Sequence, residues 1–82
     1  MRARVYVALK ETVLDPQGQT ICAALQSLGY HEVRDVRQGK YFDIQLAEGL
    51  APEQARRQLE EMADRVLANP VIEEFQVELL EG

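Results

Sequence analysis

Cysteine occurs once in this chain, at Cys22, histidine once, at His31, and tryptophan not at all. A lone thiol excludes a disulfide within the chain. Cys22 and His31 together fall short of the four ligands of a structural zinc site. No apolar run approaches the ~20 residues of a membrane span. Met1-Arg2-Ala3-Arg4-Val5 leads directly into a strand pattern and not into a signal peptide, so a cytoplasmic location is expected. Basic residues are outnumbered nine to fourteen, and a net charge of −5 lacks the basic footprint that nucleic acid requires.

What remains is an ordinary globular composition, 46% hydrophobic and 28% charged over 82 residues, enough for a single domain spanning 1–82. A domain this small buries roughly 60–65% of its unfolded surface and gains no more than ~3–5 kcal/mol from its core. With disulfide and metal excluded as staples, self-association into a dimer or higher oligomer is the stabilising device left. The charge is also uneven: residues 1–41 carry +2 and residues 42–82 carry −7. Such polarity suits either two differently solvated faces or a surface that orients a docking partner.

Residues 3–10, ARVYVALK, alternate apolar Ala3, Val5, Val7 and Leu9 with Arg4, Tyr6, Ala8 and Lys10, which predicts a half-buried strand. Asp15-Pro16-Gln17-Gly18 has the residues of a type I turn and also those of a helix start, with Asp15 as N-cap and Pro16 at N1. The spacing of Ile21, Ala24, Leu25 and Leu28 predicts a helix over about 16–28, ended by Gly29 in the C′ position. Gly18 then falls in the first turn, at a penalty of about 0.5–1 kcal/mol relative to alanine.

Residues 32–47 read as a hairpin with its turn near Gln38-Gly39. A two-residue loop sets Val36 beside Tyr41; a three-residue loop with a bulge sets it beside Phe42 and is preferred because it buries Val36. Pro52 opens a second helix whose apolar stripe is Ala55, Leu59, Met62, Ala63 and Val66, with Glu53–Arg57 and Glu61–Arg65 on the exposed face. Asn69-Pro70 stops it, and Phe75, Val77 and Leu79 alternate with Glu74, Gln76 and Glu78 in a last strand. The order β-α-β-β-α-β is that of an α+β, ferredoxin-like sandwich. Right-handed crossovers then place both helices on one face of an antiparallel sheet. The other face would carry Arg4, Tyr6, Tyr41, Asp43 and Glu78, polar with aromatics among them.

Catalytic apparatus is hard to find. Cys22 sits beside the first helix's stripe and is expected as a small buried apolar residue, His31 lies at a helix–strand corner, and Ser27 is the only serine, with no base nearby. The adjacent pairs Glu60-Glu61 and Glu73-Glu74 point to different faces and make poor acid/base dyads. Arg34, Arg37 and Lys40 cluster at the hairpin, suited to a phosphate or to a partner's acidic patch. An acylphosphatase-type loop needs an arginine after the first strand, where KETVLDPQG has none. A ligand-sensing module of ACT type, which places a glycine-containing loop there, stays open as an alternative because of Gly18. No catalytic, cofactor or metal residue is therefore assigned.

Three stretches, VLDPQGQTICAALQSLGY, VRQGKYF and LANPVIEEFQVEL, together resemble the PurS family, the small subunit of phosphoribosylformylglycinamidine (FGAM) synthase, over essentially the whole chain. KET at 10–12 departs from the family's Lys-x-Gly and bears only on the shape of that loop. The resemblance implies a subunit of a ligase complex in purine biosynthesis. In that complex a glutaminase subunit releases ammonia, and a large synthetase subunit uses ATP and magnesium to add it to formylglycinamide ribonucleotide. It further implies a non-catalytic chain that dimerises and joins the two enzymes, itself carrying no cofactor. On that view Leu14, Asp15, Pro16, Gln17 and Gly18, with Arg34, Arg37 and Lys40, are the expected partner-docking residues. Gly18 would admit another backbone to the amino end of the first helix.

Overall fold

The structure is a computed structural model and describes residues 1–80. Its elements are β1 (Arg2–Leu9), α1 (Pro16–Ser27), β2 (Gly39–Gln45), α2 (Pro52–Met62) with a π turn (Ala63–Leu67), and β3 (Glu73–Leu80). The three strands form one antiparallel sheet in the order β2-β1-β3. The chain is therefore an α+β fold with an antiparallel sheet and two helices, the class its periodicities predict.

Period-two alternation decides the sheet's two faces. Val5 pairs with Phe42 on one side and Val77 on the other, and Ala3 with Ile44 and Leu79, so apolar side chains share a face. Under that face α2 brings Leu59, and the π turn Ala63, against Ala3, Val5 and Val7, all at most 1% exposed. The opposite face carries Arg4 against Asp43 and Glu78, and Tyr6 against Tyr41 and Gln76, as the alternation predicts. Arg4 donates to Asp43 at 2.8 Å and lies 4.5 Å over the Tyr41 ring, while the Tyr6 hydroxyl donates to Glu78 at 2.9 Å.

The end of α2 differs from the even helical spacing. The π turn inserts residues into the 3.6-residue period and rotates the side chains beyond it. Met62 and Leu67 pack on the core, and Val66, expected inside, is 79% exposed. The Glu61–Arg65 pair forms at 3.8 Å; Glu53–Arg57 is not among the ion pairs of the described residues.

The larger difference concerns residues 16–38. No hairpin turn exists at Gln38-Gly39: Gly39 is not among the positive-φ glycines, and residues 33–38 belong to no strand ladder. The register choice for Val36 thus does not arise, because it faces neither Tyr41 nor Phe42. Nor does α1 lie on the sheet beside α2. Its stripe stays in the open, with Ile21 39% and Leu28 75% exposed, Leu25 half-buried, and Gly18 its one buried residue.

Residues 33–38 instead run back beside α1. Gln26 donates to the Val33 carbonyl at 2.8 Å near the helix end, and the Gln38 amide donates to Asp15 at 2.7 Å at its start. Eleven helical residues span about 16–17 Å. Five residues cover the same distance only when nearly fully extended, at ~3.3 Å each. Helix and strap together make an arm, and the molecule measures 50 × 29 × 14 Å with a radius of gyration of 16.1 Å. A compact domain of this length has roughly 12 Å.

Candidate functional site

Of the residues expected to dock partners, all but Arg34 gather at the root of this arm; Arg34 follows Val33, which lies beside the far end of α1. Asp15 caps α1, its Oδ1 accepting from the Gly18 amide at 3.0 Å. Its Oδ2 accepts from the Gln38 amide at 2.7 Å, so one carboxylate joins the helix start to the returning strap. Only 5% of Asp15 is exposed. These two backbone donors, first Gln38 and then Gly18, hold its carboxyl below the usual carboxylate range, with a further contribution from the Arg37 charge. Pro16 at N1 leaves no donor unsatisfied.

Gly18 answers to the same geometry. A Cβ built on it would lie 2.7 Å from Asp15 Oδ2 and closer still to the Val36 carbonyl oxygen. The foreseen close approach of another backbone to the amino end of α1 does occur, but the visiting backbone is the chain's own. Arg37 completes the knot: its Nη2 donates to the Lys10 carbonyl at 2.8 Å and to the Val13 carbonyl at 2.9 Å, tying the strap to the loop after β1. Lys10 in turn donates its amide to Ile72 at 2.9 Å, linking that loop to the approach of β3.

Two of the stretches singled out in the sequence are therefore the two halves of one latch. Asp15 and Gly18 come from the first, and Val36, Arg37 and Gln38 from the second. Composition and periodicity could not show this, since the contacts span about twenty residues with no repeat between them. The third stretch folds locally. Asn69 Oδ1 accepts from the Val71 amide at 3.1 Å, and the Asn69 amide donates to Glu73 Oε1 at 2.7 Å, a turn that delivers the chain to β3.

Of the eight expected docking residues, Asp15, Gly18 and Arg37 direct their polar groups inside the chain. Leu14, 64% exposed, lies outward with Pro16, Gln17, Arg34 and Lys40. Gln17 and Lys40 line a shallow hollow of about 180 Å³ between the end of the sheet and the start of α1. That is below the ~300–1,000 Å³ of small-molecule sites. Among the described residues no group of three or more His, Cys, Asp or Glu is placed to hold a metal, and His31 lies in an exposed turn. Cys22 is half-exposed rather than buried. Among them too, no helix is long and apolar enough to cross a membrane.

The family model described as "PurS: Phosphoribosylformylglycinamidine (FGAM) synthase" matches residues 2–81. The PurS subunit of phosphoribosylformylglycinamidine synthase from Bacillus subtilis is 44% identical over 98% of this chain and 93% of its own length. Its counterpart from Synechocystis is 46% identical over 96% of this chain and 80% of its own. A solved structure of B. subtilis PurS superposes with a TM-score of 0.81 at 42% identity, covering 98% of both chains. The Thermotoga maritima PurS subunit gives a TM-score of 0.83 at 30% identity over 96% of this chain and 90% of that one.

Proposed function

Given that the chain belongs to the PurS family and is thus a subunit of FGAM synthase in purine biosynthesis, we propose that it acts as a non-catalytic bridge between the complex's glutaminase and synthetase subunits. On this reading the glutaminase hydrolyses glutamine to glutamate and ammonia. The synthetase uses ATP and magnesium to activate formylglycinamide ribonucleotide, and the ammonia nitrogen becomes its amidine. This chain holds the two catalysts together in the cytoplasm, works as a dimer or higher oligomer, and binds no cofactor of its own.

The observation that carries the reading is how the polar side chains are used. Asp15 and Arg37, the groups best suited to bind a small ligand at the candidate corner, are consumed in an internal latch. Leu14 and Lys40 lie on the outside of that latch, an apolar and a cationic contact on a rigid root. Rigid corners lower the ordering cost of association, which favours a docking role for them.

Reconstitution tests the proposal. Glutamine-driven formation of the amidine by the mixed glutaminase and synthetase subunits should require this chain, while the chain alone turns over no substrate. Leu14→Glu or Lys40→Glu should weaken co-purification with the larger subunits and leave the circular dichroism of the isolated chain unchanged. Full activity of the two large subunits without this chain overturns the bridging role. Full co-purification of both variants overturns the docking corner.

A further inference from the structure

The face of the sheet turned away from α2 already seats one guanidinium. Arg4 donates to Asp43 at 2.8 Å and lies 4.5 Å over the Tyr41 ring, so β2 supplies it with a carboxylate and an aromatic face two residues apart. Arginine suits such a seat because its planar group stacks on a ring and donates along its edge at once.

The β1–β3 half of the same face repeats the seat without its cation. Tyr6 pairs in register with Gln76, and Glu74 and Glu78 flank Gln76 at two-residue steps, so both carboxylates share the tyrosine's side of the sheet. The Tyr6 hydroxyl donates to Glu78 at 2.9 Å, which fixes the ring. Neither glutamate enters an ion pair among the described residues, and Arg4, the cation across from Glu78, is taken by Asp43. Lys10, next along this face beyond Ala8, forms no ion pair with either.

The same half also has room. Ala8 pairs with Gly39 on one side and Glu74 on the other, and these small side chains leave a hollow of about 340 Å³ lined by Tyr6, Ala8, Glu74, Phe75 and Gln76. α2 packs on the opposite face and α1 stands off the sheet, so Tyr6 is exposed there. Exposed tyrosines and their arginine partners are enriched where proteins meet. Ala8 also lines the hollow between Gln17 and Lys40, which makes this seat continuous with the docking corner.

We propose that the hollow receives an arginine side chain from one of the larger subunits of the complex, its guanidinium on the Tyr6 ring and paired with Glu74, as Arg4 is seated on Tyr41 and Asp43. One ring and two carboxylates on an open face hold a free cation poorly against its loss of motion. A side chain on a docked surface is already held by the remaining interface. The proposal rests on the reading that the larger subunits dock on this chain.

The Kd for assembly with the larger subunits, measured at low and at high salt, tests it. Wild type should assemble, and more weakly at high salt. Glu74→Arg should raise that Kd roughly ten- to hundredfold, the effect of losing one charge-assisted contact, and should flatten the salt dependence. Ala8→Leu fills the hollow with every charge kept and should raise the Kd as well. Circular dichroism of both isolated variants should match wild type. Failure of wild type to assemble overturns the bridging role and this seat together. Assembly of wild type with either folded variant binding as tightly overturns the seat alone. So does an equal loss from Glu60→Arg on α2, which would mean a general attraction between charges. Micromolar binding of free arginine by the isolated chain in calorimetry makes the hollow a small-molecule site and overturns the assignment to a partner subunit. Should Ala8→Leu fail to fold, Glu74→Arg against Glu60→Arg decides.

Discussion

Replacing Gly18 with alanine sets two effects of opposite sign against each other. As a helical position in the first turn of α1, it should gain: alanine is favoured over glycine there by about 0.5–1 kcal/mol. As the floor on which the strap rests, it should lose. The added Cβ would lie 2.7 Å from Asp15 Oδ2 and nearer still to the Val36 carbonyl, inside the 3.0 Å that real Cβ contacts essentially never cross. The obstacle is backbone and a short, doubly bonded carboxylate, not the far end of a flexible side chain. Relief therefore requires the strap to lift away from α1, which strains or breaks the Gln38–Asp15 bond. Overpacking of this kind destabilises by about 1–3 kcal/mol, so the loss exceeds the gain and the net sign is destabilising. Urea unfolding followed by circular dichroism, with both proteins at one concentration to hold any association fixed, gives the answer. A Gly18→Ala variant as stable as wild type, or more so, would refute the latch and return Gly18 to a mere turn residue.

The remaining expectations concern other parts of the molecule. Leu59→Ala removes the largest side chain wholly buried beneath the sheet and should lower unfolding free energy by about 2–5 kcal/mol, read from the same urea curves. Asp15 has a folded-state pKa below its unfolded value, so its contribution is complete above the unfolded pKa and is lost as pH falls through the folded one. Stability should therefore drop on acidification below about pH 4, and Asp15→Asn should flatten that part of the profile. Val66→Asp should change stability by no more than about 0.5 kcal/mol, because the π turn leaves Val66 79% exposed. Leu67→Asp, against the core, should cost several times more; equal effects from the pair would mean that the helix end keeps a regular α period.

Period-two and 3.6-residue patterns made the three sheet strands, both helices and most of the core legible from the amino acids alone. Ala3, Val5 and Val7 alternate, and Ala55, Leu59 and Ala63 repeat at helical spacing, because burial on one face acts locally and leaves a local trace. The caps were legible for the same reason: Asp15 bonds an amide three residues on, and Gly29 takes φ 104° just past α1. The candidate site was legible as residues but not as an arrangement. Asp15, Gly18 and Arg37 stand out by type, yet nothing in their spacing says that Arg37 reaches back to the Lys10 and Val13 carbonyls.

What only the tertiary structure decided is where each apolar face goes. The stripe of α1 and the extended run at 33–38 are written in the sequence as things to be buried. Pattern alone does not say whether the surface that buries them belongs to the same chain. Here the Asp15–Gly18–Gln38 latch holds the strap to α1 and no turn forms at Gly39, so both elements point away from their own sheet. Local chemistry sets the elements; the long-range geometry of one carboxylate and one missing turn sets their destination.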